Sequence, residues 1–400
     1  MSLFKEMVRP CRADKHICSF TRPRRKIQSP QKRHLSRSAP VASPVTGAAE
    51  AEVQAAHKYC IDLLSKYDRP SYTLSTFVPR NAQTFYLALR ALNVSLSMIP
   101  DTTSSHTIGL MRLQFWRDTV TKTLAGSPPK EPVAILLASA ISNLHERTQG
   151  RARITKGWLT RMINAREQTL TNDPYTNIAA LESYAENTYS TLLYLTLSAL
   201  PMTSVTADHV ASHIGKAAGI AAVLRGLPIV AFPPPAAQSP HQGGAGMMSG
   251  GAKQGAVMLP LDVMAQAGVK EEEVFRLGAE APGLRDAVFT VATRASDHLI
   301  TVQEMLKNLR AGQDVGHDFE HQGEEGHEYD AEYDVFQGQQ NESPLDEVNR
   351  AFGVFMPAVG TRLWLDRLEK VDFDIFQPDL LRSDWKLPWK AYMAFKRKTF

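Results

Sequence analysis

The chain has 400 residues, 43% of them hydrophobic and 22% charged, with a net charge of +4. That composition is globular, with ample apolar material for a core of about 250 residues or more, and the near-balanced charge does not mark the whole chain as a nucleic-acid binder. No stretch approaches 18 uncharged apolar residues; the nearest candidate for a membrane span, TYSTLLYLTLSAL (188–200), is short and carries the polar residues of a buried helix.

Residues 1–38 hold eleven Lys or Arg against two acids, Glu6 and Asp14, and no apolar core of secretory-signal length. An Arg-rich, Ser-containing, acid-poor leader is the composition of a mitochondrial transit peptide. The segment RHLSRSAP (33–40) offers an Arg shortly before small residues, as a matrix-protease cleavage context does. The alternative is a basic tail that binds nucleic acid or a nuclear importer. A matrix-negative potential pulls a cationic leader inward, which favours import. Residues 39–48 read as a small-residue linker, so 1–48 is transit peptide plus linker and 49–400 is the body. Of the three cysteines, Cys11 and Cys18 lie in the leader and Cys60 alone in the body, which excludes an internal disulfide there. Cys11, His16 and Cys18 are a conceivable metal set, against an unstructured arm.

Helical spacing of apolar residues runs over 50–68, followed by a Pro-bearing loop, DRPSYTLSTFVP. Phe85, Leu89, Leu92 and Leu96 share one face of a helix over 80–99, which Pro100 and Asp101 end. The next helix spans 106–126, with Ser104 or Ser105 as N-cap and Gly126 as stop. Further helices are predicted at about 131–148, 154–171, 176–200 and 207–231. A Gly/Pro/Ala insert follows at 233–256, which cannot offset the entropy of ordering a core. Short helices are predicted over 257–269 and 270–278, and a long one over 282–311. A second insert, 312–344, is rich in acids, Gly and His; His317, His321 and His327 are candidate metal ligands, with a solvated acidic loop as the default. Helices over about 345–369 and 385–397 close an all-α, single-domain chain with two disordered inserts.

Three segments in this order, LQFWRDTV, HVASHIGKAAGIAAVLRGLPIV and LPLDVMAQAGVKEEEVF, resemble the squalene/phytoene synthase family over roughly 55–310. The resemblance implies an isoprenoid-synthase-like helical domain with a central cavity. Its enzymes join two prenyl diphosphates through two aspartate-rich motifs on facing helices that hold Mg²⁺. Carboxylates at i and i+4 share a helix face and suit this hard cation, which neutralises the departing diphosphate.

The positions matching the first motif are Asn93 and Ser97, and those matching the second are Gly226 and Val230. No Asp or Glu occurs from Arg69 to Pro100, or from His209 to Leu261. Asp101 and Asp118 lie near the first motif without forming an i, i+4 pair. Pro228 suggests that the turn after Arg225 is irregular. The expectation is a pseudoenzyme with no catalytic residue, no metal and no cofactor. The chain is similar to a non-catalytic mitochondrial subgroup of the family. That resemblance implies a peripheral protein on the matrix side of the inner membrane. It would assist biogenesis of respiratory complex I at an early membrane-arm step, with complex I assembly intermediates and the ND1 subunit as partners. The alternatives are an active prenyl transferase with an atypical metal site, and a lipid carrier.

The C-terminal DWKLPWKAYMAFKRKTF (384–400) sets Trp385, Trp389, Tyr392 and Lys396 at 4-3-4 spacing beside Lys390. These five are candidate membrane-contact residues, because aromatic-plus-basic helices lie in membrane interfaces. The alternatives are Trp side chains docked on the protein's own body, and a protein partner.

Overall fold

The computed structural model describes residues 44–400 except 104, 151–153, 201, 203, 234–254, 325–326 and 328–342. The leader with its Cys11/His16/Cys18 set, most of the first insert and the later part of the second lie outside the described residues.

Helix α1 (Pro44–Tyr67) begins inside the expected linker. The predicted loop after it is partly helical: α2 (Arg69–Leu74) starts at Asp68, whose side chain accepts from Ser71 N at 3.2 Å, with Pro70 in the first turn. Pro in a first turn costs no hydrogen bond and Asp caps it, so residues that read as turn-formers here start a helix. Helix α3 (Arg80–Ser97) buries Phe85, Leu89, Leu92 and Leu96 as its spacing predicts. A single turn, α4 (Ile99–Thr102), leads to α5 (His106–Leu124), where Ser105 caps Ile108 N at 3.4 Å. Helices α6 (Pro132–Thr148) and α7 (Lys156–Gln168) follow. The predicted helix over 176–200 is α8 (Ile178–Ala185) and α9 (Thr191–Ser198), joined through a π-helical turn at Glu186–Ser190.

Helix α10 (Val205–Ala231) is the central element and packs against α8, the π turn and α9. It is long and apolar enough to cross a membrane by composition, with 56% of its apolar window buried within the fold. It surpasses the 188–200 segment as a span by that measure, and its burial is that of a core helix. Its small residues permit the packing. A Cβ on Gly215 would lie 2.3 Å from Ser190 Cα, and one on Gly219 2.4 Å from Ala185 Cβ. Helix α10 also runs through Pro228 to Ala231, where Phe232 N donates to Pro228 O at 3.1 Å. Helix α10 therefore stays helical across the turn expected to be irregular, without the hydrogen bond that a Pro nitrogen cannot make.

Past the first insert come α11 (Leu261–Ala267), α12 (Glu271–Leu277) and α13 (Leu284–Arg310), the last lying along α10. Helix α11 starts four residues later than predicted, because the chain at 255–258 is not helical and bonds Ala256 N to Val230 O at 3.2 Å. The helix predicted over 345–369 is two, α14 (Pro344–Ala351) and α15 (Pro357–Lys370), with Phe352, Phe355 and Met356 fully buried in the break. Helix α16 (Leu387–Arg397) ends the fold. Among the described residues there is no strand. The Val45–Phe400 unit has one hydrophobic core running through these helices.

Candidate functional site: a cavity between α3 and α10

A cavity of about 730 Å³ lies between α3, α10 and α15, closed on one side by the 380–387 segment. Asn93, Ser97, Gly226 and Val230 all line it. Asn93 and Ser97 come from α3, Gly226 and Val230 from α10, and the four line one space. What they offer is not a magnesium donor set. Asn93 Oδ1 accepts from Arg166 Nη2 at 2.9 Å, and Ser97 Oγ donates back to Val94 O at 2.9 Å. Gly226 has no side chain and Val230 is apolar. Carboxylates at the cavity come from elsewhere: Asp68, Asp101 and Asp384. Asp101 sits on α4 and Asp118 on the exposed side of α5, where it accepts from Gln114 at 3.0 Å. Neither completes an i, i+4 pair, so the residues at the motif positions do not fit two bridging Mg²⁺ ions.

Arginines occupy the polar part instead, and sequence reading had marked only Arg225. Arg90, Arg166 and Arg225 line the cavity, and each Nε is buried without a hydrogen-bond partner. Each guanidinium lies near an aromatic ring: Arg90 on Tyr86 at 5.3 Å, Arg166 on Tyr184 at 5.5 Å and Arg225 on Trp364 at 5.4 Å. Such stacking lowers the cost of burying a cation without neutralising it. Arg166 Nη1 also donates to Tyr184 Oη at 2.6 Å. Burial pushes the hydroxyls of Tyr175 and Tyr184 up, so neither supplies a counter-charge near neutral pH. Burial pulls the Arg225 guanidinium down from its ordinary value. Arg90, Arg166 and Arg225 thus bring cations with unpartnered Nε atoms to a lining that also holds Asp68, Asp101 and Asp384.

The C-terminal segment forms part of the wall through Leu380, Leu381, Asp384 and Leu387. Helix α16 docks through Leu387, Ala391 and Ala394, and Phe395 meets Phe77 at 5.4 Å. Trp385, Trp389 and Tyr392 are 82%, 65% and 50% exposed, and Lys390 and Lys396 are exposed beside them. The tryptophans do not dock on the body, because the smaller residues of the helix take that face.

The described part of the second insert is not a fully solvated loop. Phe319 and His327 are buried, and His327 Nδ1 lies 2.9 Å from Asp208 Oδ2. His321 reaches Glu186 and Glu324, and His317 meets His209 and His213 of α10. Burial and the facing His298 hold the His213 imidazole down at about 2. Burial and His317 hold His209 at about 4, so both rings are neutral near pH 7. The HxxxH spacing in HVASH was the sequence signal for this pair.

Residues 64–392 match the family model for squalene/phytoene synthase. The chain belongs to the squalene/phytoene synthase family. That span reaches past the segment 55–310 on which the motif resemblance rested, taking in α14, α15 and most of α16. The chain is 34% identical to "NADH dehydrogenase (ubiquinone) complex I, assembly factor 6" of Rattus norvegicus, over 92% of this chain and 90% of that one. It is 33% identical to the protein of the same name in Homo sapiens, over 86% and 82%. It is 31% identical to the homolog in Drosophila melanogaster, over 84% and 83%. The fold is similar to a dehydrosqualene synthase crystal structure, with a TM-score of 0.57 at 14% identity, covering 87% of this chain and 99% of that one. It is also similar to a squalene synthase from Alicyclobacillus acidocaldarius, with a TM-score of 0.54 at 13% identity, covering 81% and 96%.

Proposed function

We propose that this family member assists the assembly of mitochondrial respiratory complex I and has lost prenyl-transfer chemistry. The relatives that carry an assembly-factor name cover most of the chain, and that name supports the role. The observation that carries the loss of chemistry is the cavity itself. Asn93, Ser97, Gly226 and Val230 meet there without one carboxylate among them. An allylic diphosphate ionises only when its leaving charge is stabilised, and two i, i+4 aspartate pairs are what would hold the metal that does so.

In this reading the N-terminal 1–48 directs import into the matrix, and the helical domain works at the inner membrane as a peripheral protein. Its client is an early membrane-arm intermediate containing the ND1 subunit. The exposed Trp385, Trp389 and Tyr392, with Lys390 and Lys396, support a membrane contact. The three arginines, each with a buried and unpartnered Nε, support retention of an anionic ligand in the old cavity, bound without turnover and without a metal.

Deleting the gene in the source cell and resolving respiratory complexes on native gels tests the assembly role. Loss of complex I with an accumulated membrane-arm subassembly is expected, and normal complex I overturns it. Incubation of the purified protein with farnesyl or geranylgeranyl diphosphate and Mg²⁺ tests the chemistry separately. Diphosphate release at enzyme-like rates would restore the transferase reading.

A further inference from the structure

The second insert folds back so that one of its histidines closes a set begun on α10. His209 and His213 stand four residues apart, so their rings leave the same helix face. His317 Nε2 lies 2.9 Å from His209 Nε2 and 3.1 Å from His213 Nε2. The three ligand atoms all lie within 4.8 Å of one another. A tetrahedral zinc with Zn–N bonds of about 2.0–2.1 Å holds its nitrogens about 3.3–3.4 Å apart. Both His317 contacts are within about half an ångström of that spacing, and drawing His209 and His213 to the same spacing seats an ion in their midst.

The proton inventory behind the cluster favours this. His213 Nδ1 is 2.9 Å from His298 Nδ1, and His298 Nε2 is 2.7 Å from Glu182 Oε1, which Arg294 also grips. A carboxylate only accepts, so His298 donates through Nε2, and in that tautomer its Nδ1 accepts. His213 then donates through Nδ1, and its Nε2 carries a lone pair aimed at His317. This relay, a carboxylate fixing the tautomer of an inward-facing imidazole, is the arrangement that orients histidine ligands. His317 has one Nε2 proton at most, and that proton serves only one of its two short contacts well. A cation serves all three nitrogens.

We propose that His209, His213 and His317 form a zinc-type site that clamps the second insert onto α10, with a fourth position left to water. Three neutral imidazoles suit zinc or a neighbouring first-row divalent ion, and do not suit magnesium. His317 is exposed, which gives the ion a path in from solvent. On the same stretch, Phe319 stacks near His209 at 5.2 Å, and Glu320 pairs with Lys216 at 2.8 Å. The ion would thus tether a segment that has few aliphatic residues of its own. The site uses the N-terminal half of α10, apart from Gly226 and Val230, and does not depend on the assembly role.

The test uses the tag-free full chain, stripped by a chelator and titrated with Co²⁺ and then Zn²⁺ alone. One equivalent of Co²⁺ with the visible bands of tetrahedral nitrogen coordination is expected, displaced by Zn²⁺. Amide exchange over 312–324 should slow on loading. His317→Ala, on an exposed loop, should keep the helical circular dichroism and lose more than about 100-fold in zinc affinity. His298→Ala should lose about 10–100-fold, the usual effect of removing a group that orients a ligand. The proposal is overturned by the absence of one-equivalent binding, by binding that persists in His317→Ala, or by binding lost instead in Cys11→Ser/Cys18→Ser.

Discussion

Replacing Trp385 and Trp389 with alanine should detach the protein from cardiolipin-containing vesicles. The two rings are 82% and 65% exposed, so neither holds the fold together. A tryptophan presents about 150–250 Å², and transfer of about half of its exposed part removes roughly 65–80 Å² from water. At about 25 cal/mol per Å² that is about 2 kcal/mol for each ring, roughly 30-fold in affinity each and several-hundred-fold together. Exposed basic residues beside them add about 1 kcal/mol each near an anionic surface. Co-sedimentation with vesicles, with and without cardiolipin, reads both contributions. Salt should weaken the parent, because the lysine part is screened within about 10 Å at 0.1 M. The double variant should keep its melting temperature and stay in the supernatant. A double variant that pellets as the parent does, or a parent that does not pellet, refutes the membrane contact.

Three further outcomes follow from the packing and the cavity. Gly215→Ala should destabilise the fold by about 1–3 kcal/mol or more, read as a lowered melting temperature, because its Cβ meets the Ser190 backbone rather than a side chain that can turn away. Arg225→Met should leave the empty protein as stable or more so, since a half-buried cation with an unpartnered Nε is replaced by an apolar chain of similar length. The same variant should bind a non-hydrolysable farnesyl diphosphate analogue at least tenfold more weakly, and EDTA should leave the parent's affinity unchanged. Cys60 should resist a thiol reagent at pH 8 in a Cys11→Ser/Cys18→Ser background, because burial, helped by Glu131, pushes its thiol up to about 12. The folded state keeps that proton while the unfolded chain releases it near the ordinary 9.0, so this contribution to stability is intact below pH 9 and fades as pH climbs toward 12.

The helices were legible wherever burial wrote a clear period, as along α3 with Phe85, Leu89, Leu92 and Leu96. They were misread where capping chemistry mimics a turn. Asp68 and Pro70 suggested a loop and begin α2 instead. The break between α14 and α15 was hidden because Phe352, Phe355 and Met356 stay apolar through it, and periodicity cannot tell a buried break from a buried helix. Of the cavity, a family pattern pointed to Asn93, Ser97, Gly226 and Val230, and all four line it. It did not point to Arg90 and Arg166: each sits in a helix where a lone arginine ordinarily reads as a solvated side chain. The His209–His213–His317 set was split between two segments about a hundred residues apart, and only folding joins them.

The acid-free stretches and the cavity's arginines bear on one electrostatic balance. In a metal-dependent site, carboxylates, cations and a diphosphate balance one another. Asn93, Ser97, Gly226 and Val230 bring no carboxylate to such a balance here, while Arg90, Arg166 and Arg225 line the same cavity. Three guanidinium groups with unpartnered Nε atoms are costly in a cavity of this size, even with Tyr86, Tyr184 and Trp364 stacked near them. Substituting them by apolar residues would cost little in packing, so their presence is better explained by an anion that completes the charge balance than by stability. The cavity's wall at Leu380–Leu387 leads directly into the exposed Trp385 and Trp389, and Leu381 and Ile229 at its rim are each 51% exposed. An anionic head group with an apolar tail, reached from the membrane surface, meets both halves of that description: cations inside, and an apolar rim beside an aromatic anchor.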